Sequence, residues 1–166
     1  MADANLLVTF DPTHIESVKK EIDERMKDIK EKAKVLKVEE GLAEIKVSDA
    51  RKVIKALTKL AKKDENFQYS KKWSPIDKWC NAKIPDMQKC IKEAAKDLKA
   101  KDKWKLDLRV HRADVDIRDM IVKLTDVIEN KNVDLEKPDK IVKVEIIEKK
   151  AGIALLEKED TLNVSK

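Results

Sequence analysis

Glycine is nearly absent from this 166-residue chain, which holds only Gly41 and Gly152. Two isolated glycines cannot build a Gly-x-Gly-x-x-Gly turn or a Walker loop, so the usual backbone cradles for dinucleotides and nucleoside triphosphates are excluded. A pyrophosphate-holding loop for acetyl-coenzyme A fails for the same reason. No cofactor is therefore expected. Cysteine is equally scarce, and Cys80 and Cys90 are too few and too far apart in sequence for a disulfide framework. With no close Cys-x-x-Cys or His-x-x-x-His pair, a zinc site would have to recruit His14 and His111 across the fold, so the cysteines read as reduced structural thiols and no metal is expected. No apolar run approaches the ~18 residues of a membrane-spanning helix, and the N-terminus lacks the apolar core of a signal peptide. A cytoplasmic protein without a membrane partner is the expectation.

Charge is what the chain has in abundance. Charged residues make up 43% of it and apolar ones 42%, against about a quarter charged in an ordinary globular protein. The apolar share is enough for one domain or two small ones. The net charge of +5 is uneven, with 15 Lys/Arg against 14 Asp/Glu in residues 1–70, 14 against 8 in 71–118 and 9 against 11 in 119–166. A basic middle segment attracts phosphate backbones through counterion release, although lysines on solvated helix faces give the same count.

The hydrophobic periodicity predicts two α/β parts. Asn5 to Phe10 is a β-prone run, and Asp11-Pro12-Thr13 then starts a long helix with Ile15, Val18, Ile22, Met26, Ile29 and Ala33 on one face. Two strands, Val35–Glu39 and Leu42–Val47, bend at Glu40-Gly41. Ser48 is expected to cap a second helix carrying Val53, Ile54, Leu57 and Leu60 inward, and an extended segment runs from Phe67 through Trp73. The order is β-α-β-β-α-β, the ferredoxin-like arrangement. Residues 74–82 lack a clean period and read as a junction. After it come a helix over Asp86–Lys99 entered at Pro85, an alternating strand over 104–110, and a helix with Ile117, Ile121, Leu124 and Ile128 inward. Strands over 141–147 and 152–156 follow, and a tail is expected to fray beyond Glu157. The expected class is α+β, with an N-terminal ferredoxin-like domain over 1–75 packed with a C-terminal α/β domain over 76–166.

Lys71-Lys72-Trp73-Ser74-Pro75-Ile76, Trp104 to Arg112, Val133 to Asp139 and Val144-Glu145-Ile146 together resemble, in order, segments of the THUMP domain with its accompanying ferredoxin-like domain. The resemblance implies binding of tRNA near the acceptor stem and 3′ end. With no catalytic unit within the 166 residues, the chain is similar to stand-alone THUMP proteins that serve as adaptors for a separate tRNA cytidine acetyltransferase making N4-acetylcytidine. It is thus expected not to be an enzyme.

The alternation of the 104–110 strand places Lys105 and Arg109 on its polar face, with His111 at its end, Arg112 in the next turn and Arg118 on the following helix. Arginine suits phosphate because its planar guanidinium forms two parallel hydrogen bonds. Position in the resembling segments adds Lys71, Lys72, Lys83, Lys103 and Lys137 as RNA-binding candidates. Trp104, in register with Leu106 and Leu108, is expected in the core, whereas Trp73 and Trp79 leave packing and base stacking open. Two other classes stay in view: an RNA-modifying enzyme with a partner-completed site near His111, Asp114 and Asp116, and a dimerising interaction protein that binds no RNA.

Overall fold

The first apolar run becomes strand β1, Leu6–Phe10, buried along nearly its whole length. In a computed structural model, whose described residues are 3–63 and 67–164, β1 leads through a 3-10 turn at Pro12–His14 into helix α1, Ile15–Asp28. The periodicity predicts a helix reaching Ala33, but it stops five residues earlier. Lys30 takes a left-handed φ of 57°, the Glu31 N–H donates to the Met26 carbonyl at 2.9 Å and the Lys30 N–H to that of Lys27 at 3.1 Å. This closure normally uses glycine and here uses lysine. Ile29 and Ala33 still pack on the core from outside the helix.

Strands β2, Lys34–Glu39, and β3, Leu42–Lys46, form the expected hairpin. Glu40 and Gly41 both have positive φ, 47° and 87°, which lets a two-residue turn match strand twist. Helix α2 spans Ala50–Lys63. Its cap is Asp49, whose carboxylate accepts the Lys52 N–H at 3.2 Å; the expected cap, Ser48, bonds through its hydroxyl to Glu31 at 2.9 Å. Strand β4, Ser70–Pro75, then closes the ferredoxin-like sheet. Its entry is pinned by the buried Glu21 carboxylate of α1, which accepts the N–H groups of Gln68, Tyr69 and Ser70.

Gly41 has little freedom to change. A Cβ there would lie 2.9 Å from the Phe10 carbonyl oxygen and 3.3 Å from Pro12 Cγ, at φ +87°, while the Gly41 carbonyl accepts the Phe10 N–H at 2.9 Å. Gly41→Ala is expected to cost about 1–3 kcal/mol, read as a lower urea midpoint at unchanged slope.

The boundary between the two units falls within the 74–82 stretch, between Ile76 and Asp77, but the stretch also carries a strand. β5, Lys78–Asn81, is separated from the end of β4 by two residues and precedes helix α3, Ile84–Ala95, with proline in its first turn. Strand β6, Trp104–His111, helix α4, Ile117–Thr125, and strands β7, Lys140–Ile147, and β8, Lys150–Leu156, complete the second sheet. Along α4, Met120 and Leu124 are buried, as is Ile128 just beyond it, but Ile117 faces outward. The β7–β8 hairpin turns on Glu148-Lys149 alone, since Ile147 pairs with Lys150. Nor does the C-terminal segment fray as far as Val164; residues 165 and 166 lie outside the described residues. β9, Leu162–Asn163, pairs with β4, and Leu162 is buried because it completes an apolar face already built by Trp73 and its neighbours.

The described residues thus form an α+β structure with sheets ordered β2-β3-β1-β4-β9 and β5-β8-β7-β6. Contacts divide the chain into Met1–Ile76 with Glu159–Lys166, and Asp77–Lys158. In the first unit α1 and α2 cover the sheet around Leu6, Val8, Ile22, Ile54 and Trp73. In the second, α3 and α4 cover Val142, Val144, Ile146 and Ile153. No helix of the described residues is long and apolar enough to cross a membrane.

Candidate nucleic-acid interface

Strand β6 lies parallel to β7 with unbroken register from Trp104–Lys140 to His111–Ile147. Trp104 is buried, as its alternation predicts, and its indole N–H donates to the Asn130 carbonyl at 2.9 Å. Its backbone holds the same loop, with the Trp104 N–H on Asn132 and the Asp134 N–H on the Trp104 carbonyl. Asn130 completes the anchor by donating to the carbonyls of Lys99 and Asp102 and accepting the Asn132 N–H at 2.7 Å.

That anchored loop forms one wall of an open hollow of about 820 Å³, whose other wall is the end of α3. Lys92 and Lys96, one helical turn apart, line it with Lys131, Asn130 and Asn132, against the single carboxylate of Glu129. Among the described residues neither Lys92 nor Lys96 forms an ion pair, while the Lys131 ammonium donates to the Ile128 carbonyl at 3.1 Å. A concave wall with two ammonium groups outside any ion pair suits phosphate, while the Asn130 amide is already spent on its own loop. Nothing in the sequence pattern marked Lys92, Lys96 or Lys131, because on charge alone they match any solvated lysine.

Within the second unit the predicted residues do not converge on one patch. Lys103 and Lys137 lie at the end of the sheet where β6 begins. The Lys103 ammonium is 4.0 Å from Asp134, whose carboxylate also accepts the Lys137 N–H at 3.0 Å. That bond, with a second from the Glu136 N–H at 3.0 Å, holds the Asp134 carboxyl below its ordinary range. Lys83, Arg112 and Arg118 belong to the opposite end, where β6 finishes and α3 and α4 start; at ~3.3 Å per residue the ends are separated by roughly 23 Å. Arg112 has φ 55°, and its largely buried side chain pairs with Glu148 at 2.8 Å. Lys83 and Arg118 are exposed. Lys71 and Lys72 lie in the first unit on β4, where Lys72 pairs with Asn163.

Between the ends, the face of β6 away from the helices carries Lys105, Asp107, Arg109 and His111. Here the charges form a chain. Arg109 Nε lies 3.2 Å from Asp107, Lys143 Nζ lies 3.3 Å from both Asp107 and Glu145, and His111 Nε2 meets the second Glu145 oxygen at 2.5 Å. Lys143 and Glu145 are 2% and 3% exposed. Burial pushes the Glu145 carboxyl up, but the His111 hydrogen bond and the Lys143 charge outweigh it and hold it below 4.5. His111 therefore has a structural partner, and Asp116 caps α4 by accepting the Asp119 N–H at 3.1 Å.

The two cysteines, distant in sequence, are brought together between β5 and α3. Burial, reinforced by Cys90, pushes the Cys80 thiol up to about 12, so it is a poor nucleophile at neutral pH. Among the described residues no group of three or more His, Cys, Asp or Glu is arranged to hold a metal ion. Trp73 is fully buried and meets Phe67 edge-on at 6.1 Å, so it serves the core of the first unit rather than a base. Trp79 is half-buried beside Gly152.

Solved structures that share this fold include PH1313 from Pyrococcus horikoshii (16% identity, TM-score 0.67, 98% of this chain and 55% of that one), TrmN from Thermus thermophilus (13%, 0.57, 90% and 44%), and a 4-thiouridine synthetase in complex with RNA and bound ATP (13%, 0.57, 98% and 42%). At such identities the likeness is one of fold. The chain spans about half the length of the structures it matches. No protein-family model and no curated protein matches the sequence.

Proposed function

We infer that this chain is a THUMP-type RNA-binding unit that grips tRNA at the acceptor stem and 3′ end. The observation that carries the reading is the shared fold across both units, with one of the similar structures crystallised on RNA. The basic hollow of Lys92, Lys96 and Lys131 supports it by giving an anionic strand a concave seat. Lys103, Lys105 and Arg109 extend positive charge along the same unit, while phosphate contacts of this kind position an RNA without reading its sequence.

The chain's own part is binding rather than chemistry. His111 and Asp116, the obvious acid-base candidates, are engaged in holding Glu145 and capping α4. It serves as an adaptor, with a separate acetyltransferase forming N4-acetylcytidine on the tRNA it presents. Nucleoside mass spectrometry of tRNA from cells lacking this protein tests the role: N4-acetylcytidine should fall to background and return when the gene is restored. Unchanged N4-acetylcytidine would remove the adaptor role, and turnover by the purified chain alone would replace it with an enzymatic one.

A further inference from the structure

β6 forms one edge of its sheet, with β7 on its inner side. Backbone direction alternates along a strand, and two observations fix its phase here. Trp104 directs both its N–H and its carbonyl away from β7, to Asn132 and Asp134, while the His111 carbonyl accepts the Glu148 N–H at the end of β7. With the register unbroken, the N–H and carbonyl groups of Leu106, Leu108 and Val110 also point outward. Among the described residues nothing bonds to them. Strand edges of this kind accept another strand unless they are covered.

We propose that this edge pairs antiparallel with β6 of a second copy of the chain, about a two-fold axis through Leu108. Leu108 then faces Leu108 of the second copy and Leu106 faces Val110, each as a hydrogen-bonded pair using the outward groups. On the other face, Asp107 stands opposite Arg109 of the second copy twice over, and opposite charges in directly facing positions favour the pairing. Arg109 is suited to this, with its side chain 62% exposed and already turned toward the carboxylate of its own Asp107. Lys105 falls opposite His111, which carries the Glu145 carboxylate with it. Neighbouring registers are worse. An axis through Asp107 or Arg109 sets like charges face to face, and one through Leu106 collides with the loop already bonded to Trp104.

The pairing uses Lys105 and Arg109, which also belong to the proposed RNA surface, and is therefore tested without RNA. Sedimentation of the full chain should show reversible monomer–dimer exchange, and Arg109→Asp, which opposes two carboxylates, should weaken it by about tenfold or more. A chain that stays monomeric at its highest concentration, or an Arg109→Asp variant that dimerises as well as the parent, overturns the proposal. As a second readout, Leu108→Cys in a Cys80→Ala/Cys90→Ala background should give a disulfide-linked dimer on mild oxidation, because facing Cα atoms of a hydrogen-bonded pair lie ~5.5 Å apart. Leu106→Cys in that background should not. Equal cross-linking at both positions, or at neither, contradicts the Leu108 axis.

Discussion

Lys143→Met is expected to destabilise the Asp77–Lys158 unit by about 3–5 kcal/mol. Methionine fills most of the volume of the lysine stem, so the loss is one of charge rather than of packing. Lys143 sits 3.3 Å from both Asp107 and Glu145 with 2% of its surface exposed. Without it the buried Glu145 keeps, among the described residues, His111 as its charged partner. Removing both members, as in Lys143→Met/Glu145→Leu, should cost clearly less than the two single changes added together, since no uncompensated charge is left behind.

The same pair sets an acid limit. The folded Glu145 carboxyl is held below its ordinary value of 4.5, so the unfolded chain binds the proton first as pH falls. The stabilisation is therefore fully present above 4.5 and is lost as pH drops from there through the lower folded value. In Lys143→Met, burial is opposed by His111 alone, and the loss should begin at higher pH. Urea unfolding across a pH series checks both statements; identical acid profiles for parent and variant would show that Lys143 does not hold the carboxylate ionised.

The second large effect concerns RNA. Lys92→Ala/Lys96→Ala/Lys131→Ala is expected to lower tRNA affinity by about 10- to 1,000-fold at moderate salt and to reduce the slope of log affinity against log salt by about two to three. These lysines line a solvent-open hollow, and none holds a buried carboxylate, so folding should be preserved. Circular dichroism alongside the binding titration separates lost contact from lost structure. A well-folded triple variant with parental affinity and salt slope would show that RNA does not enter the hollow.

Much of the fold was legible because its cores follow simple periods. The βαββαβ order, the Glu40-Gly41 turn and the inward Trp104 all came from alternation and helical spacing. Two departures share a cause, in that short-range signals are weak where long-range contacts decide: β5 has four residues at a sheet edge, and β9 has two, of which Leu162 is the apolar one. The early end of α1 is local instead, a closure on a left-handed lysine where glycine is the usual residue. The site was harder. Strand alternation places Asp107 on one face with Lys105 and Arg109, but not the groups that join them there from β7 and the turn after it. Lys143 beside Asp107, Glu145 beside His111 and Glu148 beside Arg112 are neighbours only in the folded chain. The hollow was invisible to sequence because it needs the end of α3 and the Asn130–Asn132 loop to meet.

The central reading is a grip on the acceptor end of tRNA, and competition binding tests it most directly. Intact tRNA, tRNA lacking its single-stranded 3′ end, and an unrelated RNA duplex are titrated against the same chain at one salt concentration. Intact tRNA should bind tightest, and loss of the 3′ end should bring its affinity down toward that of the duplex. Equal affinity for all three would contradict the account.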